Sequence, residues 1–156
     1  MNGDKPPRTA PPHQSTASAM SPLLAVCMSV TDVVFLAYWT MSLLEVFGII
    51  EVPPSLMYKD YDIPMVIAWN WSFFPVDVIF SISGLCAVIL ARRGDRRWLP
   101  IAIISLCFTF VAGLMAIGYW VLLQEFDPSW FLPNLALVIW PLFFIPRLIH
   151  QAANPT

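Results

Sequence analysis

Asp32 and Asp77 are the side chains of this sequence best placed to do chemistry. Each is an acid set inside an apolar stretch long enough to cross a bilayer, 22–48 for the first and 63–91 for the second. An ionisable group at membrane depth is costly, so it normally faces a protein-lined cavity and marks a functional site. Aromatic residues crowd both positions: Phe35, Tyr38 and Trp39 near the first, and Trp69, Trp71, Phe73 and Phe74 near the second. On a helix, Asp32, Phe35 and Trp39 share one face, and so do Asn70, Phe74, Asp77 and Ser81, although a bend at Pro75 can rotate the second set. If the two faces meet, two carboxyl groups and a ring of aromatics enclose one polar pocket. A fourth apolar segment can add Asn134, just after Pro133.

A carboxyl group in a dry apolar setting, with no cation beside it, favours its neutral form. Such a group is a good proton donor. Aromatic faces are electron-rich and attract cations. A donor within an aromatic cage is what a protonation-initiated cyclisation of a polyprenyl chain requires. The acid protonates an alkene or epoxide, the rings stabilise the migrating carbocation, and the apolar walls fold the chain and exclude water. That reaction class needs no metal, and the sequence offers no Asp-rich diphosphate–metal motif within a helix. The plainer account of Asp32 is hydrogen-bonded glue to Ser29, Thr31 or a neighbouring helix, and the same holds for Asp77. Glu45 and Asp60 are reserve acids. Their plainer roles are an outer-surface carboxylate and a solvated turn residue.

The rest of the composition limits the alternatives. Hydrophobic residues make up 58% of the 156 residues and charged residues 12%. Soluble domains carry roughly 25% charge, so this is an integral membrane protein. A net charge of −2 and the lack of a basic, aromatic-studded patch argue against nucleic acid as a partner. The cysteines (Cys27, Cys86, Cys107) have no metal-ligand spacing and read as apolar filler. His13 and His150 lie outside the apolar segments, which excludes haem held by two helical histidines. No cofactor is expected.

The elements that must position these residues are four spanning helices at about 22–48, 63–91, 98–123 and 130–149. Together they form an all-α transmembrane domain over 22–150. A polar tail rich in Pro, Ser and Thr precedes it at 1–21, without the apolar core of a cleavable signal, and a short tail follows at 151–156. Lys5 and Arg8, the group Arg92, Arg93, Arg96 and Arg97, and Arg147 with His150 all fall on one side. Glu45, Glu51, Asp60, Asp62, Glu125 and Asp127 face the other, with Lys59 the one cation among them. The positive-inside rule then places both termini in the cytoplasm. Trp98 and Trp130, at segment starts, read as interfacial belt residues.

The stretches 58–61 (Tyr-Lys-Asp-Tyr), 68–77 (Ala-Trp-Asn-Trp-Ser-Phe-Phe-Pro-Val-Asp) and 130–134 (Trp-Phe-Leu-Pro-Asn) resemble the YvaD-like family of small bacterial membrane proteins. So does Thr31-Asp32-Val33-Val34-Phe35 ahead of Tyr38-Trp39. The similarity covers most of the chain after the tail. That family in turn resembles the integral membrane terpene cyclases of bacterial indole sesquiterpenoid (drimentine-type) pathways. The resemblance implies a multi-pass protein of the bacterial cell membrane that cyclises a farnesylated aromatic substrate by protonation.

The expected enzyme is thus a membrane terpene cyclase. Asp77 and Asp32 act as proton donor and partner, with Glu45 and Asp60 behind them. Phe35, Trp39, Trp69, Trp71, Phe74 and Trp120 wall the cavity, and Asn70 and Asn134 orient the acid. Its partners are the lipid bilayer and a prenylated small molecule, with self-association open. The rival readings are a proton or ion carrier and an accessory subunit of a larger membrane complex.

Overall fold

The computed structural model describes residues 19–54 and 57–154. Five helices follow in order: α1 (Pro22–Val46), α2 (Pro64–Arg92), α3 (Trp98–Leu123), α4 (Pro128–Leu142) and α5 (Ile145–Ala153). Four spans are long and apolar enough to cross a membrane: α1, α2, α3, and α4 taken together with α5. The protein is an all-α, multi-pass membrane protein. Of the expected tails, residues 1–18, with Lys5, Arg8 and His13, lie outside the described residues, as do 155 and 156.

Local chemistry sets the helix ends. Pro22 opens α1, where a missing N–H costs nothing, and the Ser21 hydroxyl accepts from the Leu24 N–H at 3.2 Å. Beyond α1, Gly48 takes a left-handed φ of 68° and its N–H bonds the Glu45 carbonyl. Gly94, φ 71°, makes the tight α2–α3 turn, where Asp95 accepts from the backbone N–H and the guanidinium of Arg97. The fourth span starts at Pro128, earlier than expected, because Asp127 caps it by accepting from the Ser129 N–H at 2.9 Å. It is also divided. Pro146 has no N–H to offer the Leu142 carbonyl, so α4 stops there and α5 leaves as a separate helix.

Each of the first three helices is apolar on all sides. Along α1, Leu24, Met28, Asp32 and Trp39 are buried, while Leu23, Val26, Val30 and Val33 are each more than half exposed. A helix with apolar residues on its outward face needs hydrocarbon around it. α2 packs against α1 and α3, and α3 packs against α4 and α5. α1 and α4 make no close backbone contact. At the arginine-rich end the bundle is closed by Leu24, Met28, Ala87, Val88, Ala102, Leu106 and Leu148. Trp98 belongs to this core at 3% exposure, so it is a packing residue and not a belt residue. Cys86 and Cys107 are exposed on the outer faces of their helices, where they face lipid and fill no core.

Candidate functional site

The antiparallel arrangement of α1 and α2 sets Trp39 beside Asp77. The Trp39 indole Nε1–H donates to Asp77 Oδ2 at 2.9 Å. Both residues are almost wholly buried, at 2% and 3% exposure. The second oxygen, Oδ1, is buried and has no partner among the described residues. Asp77 is one of the residues that line a cavity of about 200 Å³ to which all four spans contribute. α1 contributes Val34, Phe35, Tyr38 and Trp39, and α2 contributes Trp69, Asn70, Phe73 and Asp77. α3 contributes Ala112, Ala116 and Trp120, and α4 contributes Trp130, Pro133, Asn134 and Leu137.

The aromatic rings make a connected wall. Phe74 and Trp71 pack on Trp39 at 5.1 and 5.2 Å between centroids. Trp69 stacks on Tyr119 at 4.0 Å and meets Trp120 edge-on at 6.0 Å. Trp130 bridges the gap between α1 and α4 through edge contacts with Tyr38 and with Tyr58 of the α1–α2 loop. Trp130 is therefore a cavity residue, where the sequence suggested an interfacial one. The small side chains of Ala112 and Ala116 on α3 leave the space that these rings surround.

Polar groups are few. The Tyr38 hydroxyl donates to Asn70 Oδ1 at 3.0 Å, and Asn134 Nδ2 donates to the Trp130 carbonyl at 2.7 Å. Both amides are thus held by neighbours other than the acid. The Trp120 Nε1–H is buried without a partner. Asp77 Oδ1 and Trp120 Nε1 are thus buried, unpartnered polar atoms on two residues of a lining that also includes Tyr58 and Ser129. No Lys or Arg is among its lining residues.

Of the expected site residues, Asp77, Phe35, Trp39, Trp69, Asn70, Trp120 and Asn134 converge on this cavity. Trp71 and Phe74 stand behind Trp39 and do not line it. Phe73 does, because it points to the interior one residue before Phe74. Glu45 and Trp71 line a second cavity of about 580 Å³ between α1, α2 and the loop that joins them. Asp60 lies in that loop with a left-handed φ of 58° and reaches neither cavity.

The expectation that the two aspartates share one pocket is corrected. Asp32 is buried at 2% exposure, but its carboxylate lies against Gly84, where an added Cβ would sit 2.0 Å from Oδ2. Gly84 is seven residues beyond Asp77 on α2. At 1.5 Å of rise per residue this places the two acids roughly 10 Å apart along the helix axis. Asp32 is not part of the cavity lining. Residues the sequence did not single out as site residues are Tyr38, Tyr58, Phe73 and Trp130. The aromatic character of 58–61 and 130–134 was a signal for two of them.

Loop contacts hold the outer end. Lys59 pairs with Glu125, joining the loop that carries Tyr58 to the segment after α3. The carboxylate partner raises the Lys59 amine above its ordinary value.

Comparison with known proteins places the chain by sequence. Residues 24–155 match the model of a family described as a family of unknown function, DUF5360. A relative from Bacillus subtilis (strain 168), described as uncharacterized protein YvaD, is 41% identical over 122 residues. The match covers 78% of this chain and 88% of that protein. No solved structure matches.

Proposed function

We propose that the chain, a member of the DUF5360 family, is a metal-independent terpene cyclase acting on a farnesylated aromatic substrate of the indole type. The observation that carries this reading is Asp77, a buried acid with one unpartnered carboxyl oxygen, among the residues that line a cavity with Phe35, Trp39, Trp69, Phe73 and Trp120. An ionised carboxyl at this depth, with no cation to pair with, is expensive. The proton-bearing form avoids that expense and is the form that can act as an acid.

In the reaction, the Asp77 O–H bond breaks as the alkene π pair takes the proton and forms a C–H bond. The carbocation left on the neighbouring carbon closes onto the chain under the aromatic faces. Loss of a proton from the final cation to the Asp77 carboxylate restores the acid. Product and substrate have equal mass and no electrons are gained or lost. Trp39 holds Oδ2, which leaves Oδ1 as the unpartnered oxygen that donates the proton in this reading. The Trp120 N–H, also without a partner, is the donor this reading assigns to a polar atom of the head group. The absence of cationic side chains from the lining favours a neutral prenylated aromatic over a diphosphate ester. The gap between α1 and α4, bridged by side chains alone, suits entry from the bilayer of a bacterial cell membrane.

The test is incubation of membranes holding the full chain with a farnesylated indole. An isomer of equal mass is expected with the wild type and none with Asp77→Asn. Absence of the isomer from wild-type membranes, or its persistence in the variant, overturns the reading.

A second reading, a proton carrier, is favoured by Asp32, a second membrane-depth acid away from the cavity. The apolar closure around Leu24, Met28, Ala87 and Leu106 opposes a path through to the far side. Proton flux in liposomes, lost in Asp32→Asn, would decide for the carrier.

A further inference from the structure

Three buried oxygens without partners follow one another along the interior of the bundle. Asp77 Oδ1 belongs to a residue that lines the cavity. Ser81 Oγ, on the next turn of α2, is completely buried. Asp32 Oδ2 comes next, against Gly84. Asp77, Ser81 and Gly84 are spaced i, i+4 and i+7, so they form one ridge of α2. Unsatisfied polar atoms are costly in any protein interior, and more so within a membrane. Three of them in file on consecutive turns are not explained by helix packing, because none of them bonds a neighbouring helix.

The surroundings of Asp32 specify what it holds. The Cβ position at Gly84 lies 2.0 Å from Asp32 Oδ2 and 2.8 Å from Ser105 Oγ, so the two oxygens crowd one point. Ser105 has already spent its own proton, donating to the Phe80 carbonyl at 2.9 Å. It donates no proton to Asp32 Oδ2, which has no hydrogen-bond partner. Thr109, on the next turn of α3, donates to the Ser105 carbonyl and supplies no proton to Asp32 either. No Lys or Arg among the described residues pairs with Asp32. Toward the arginine-rich end, Leu24, Met28, Ala87, Val88 and Leu106 close the way.

We propose that Asp32 is a second proton-binding site, loaded only from the cavity, and that Ser81 with bridging water carries the proton between it and Asp77. In one passage the Asp32 O–H bond breaks, Ser81 accepts that proton and releases its own, and Asp77 gains an O–H bond. One carboxylate disappears at Asp77 and one appears at Asp32, so charge and protons balance. Such a site exchanges its proton with Asp77 without a path to bulk water at the arginine-rich end. The inference rests on Asp77 being the proton-bearing group of the cavity, and not on the identity of the ligand.

The experiment is infrared spectroscopy of the full chain in lipid nanodiscs during exchange from H₂O to D₂O. Two carboxylic-acid carbonyl bands are expected, one lost in Asp32→Asn and the other in Asp77→Asn. Ser81→Ala should slow deuteration of the Asp32 band by about tenfold or more, equivalent to about 1.4 kcal/mol in a barrier, and leave the Asp77 band unchanged. Ser81→Thr, which keeps a hydroxyl, should restore the rate. Ser81→Cys, close in size and a weak hydrogen-bond partner, should behave like Ser81→Ala and serves if that variant does not fold. A missing Asp32 band, or an Asp32 rate indifferent to Ser81, overturns the proposal. A missing Asp77 band in the wild type overturns the reading of the cavity as well, so the two failures are distinct.

Discussion

Trp39 and Asp77, 38 residues apart in sequence, are joined by a 2.9 Å hydrogen bond from indole to carboxylate across the α1–α2 interface. That bond fixes one oxygen of the acid and leaves the other buried without a partner. It also ties the helix that carries the aromatic wall to the helix that carries the acid.

Trp39→Phe keeps a ring in the wall and removes the N–H. It leaves Asp77 Oδ2 buried without its donor, which costs about 1–3 kcal/mol. A lowered thermal midpoint in detergent is expected, with cyclisation weakened and not abolished. Asp77→Asn can still accept from Trp39, so it should melt near the wild type while product formation is abolished. Opposite ranking of the two variants in stability and turnover is the result to look for. Equal losses in both assays would contradict it.

Gly84 is there to make room for Asp32. A Cβ at this position would overlap Asp32 Oδ2 at 2.0 Å. Gly84→Ala should destabilise the fold by about 1–3 kcal/mol, the usual cost of overpacking. Asp32→Ala removes the obstructing atoms, so the double variant should recover part of that loss. A double-mutant cycle of thermal midpoints measures the coupling, and strict additivity would show that the two residues do not meet.

Gly113 sets how closely α3 and α4 approach. A Cβ there would stand 2.7 Å from Leu137 Cβ and 2.8 Å from the Asn134 carbonyl oxygen. The second contact is backbone and cannot swing away. Gly113→Ala should therefore push α4 outward, change the cavity wall that Asn134 and Leu137 supply, and cost about 1–3 kcal/mol. Gly118→Ala, with nothing within 4 Å of its Cβ position, is the matched control and should be close to neutral.

The turn between α2 and α3 carries a pH dependence of known sign. Hydrogen bonds from the Arg97 side chain, then its backbone, hold the Asp95 carboxyl down at about 2, against an ordinary value of 3.8. A lowered folded-state value means the contact contributes fully above the ordinary value and is lost as pH falls through about 2. Amide exchange at 93–97 should accelerate over that acid range in the wild type. In Asp95→Asn the same amides should exchange faster at neutral pH and show no further acid step.

Sequence was sufficient for the architecture because the signal is local. A run of apolar residues long enough to span hydrocarbon needs a helix whatever its neighbours are, so four spans could be read without knowing how they pack. The cost of burying a carboxyl also made Asp32 and Asp77 conspicuous, and Trp39, Trp69, Asn70, Trp120 and Asn134 were within reach of spacing and composition. Helix pairing was not. The antiparallel register of α1 and α2 sets Trp39, not Asp32, opposite Asp77, and it turns Phe73 inward in place of Phe74. The division of the last span at Pro146 depends on one missing N–H. The space for the cavity depends on where Ala112 and Ala116 fall against rings from three other helices. Each of these is a distance between residues remote in the chain, decided by which side chains fit together once all four helices are side by side.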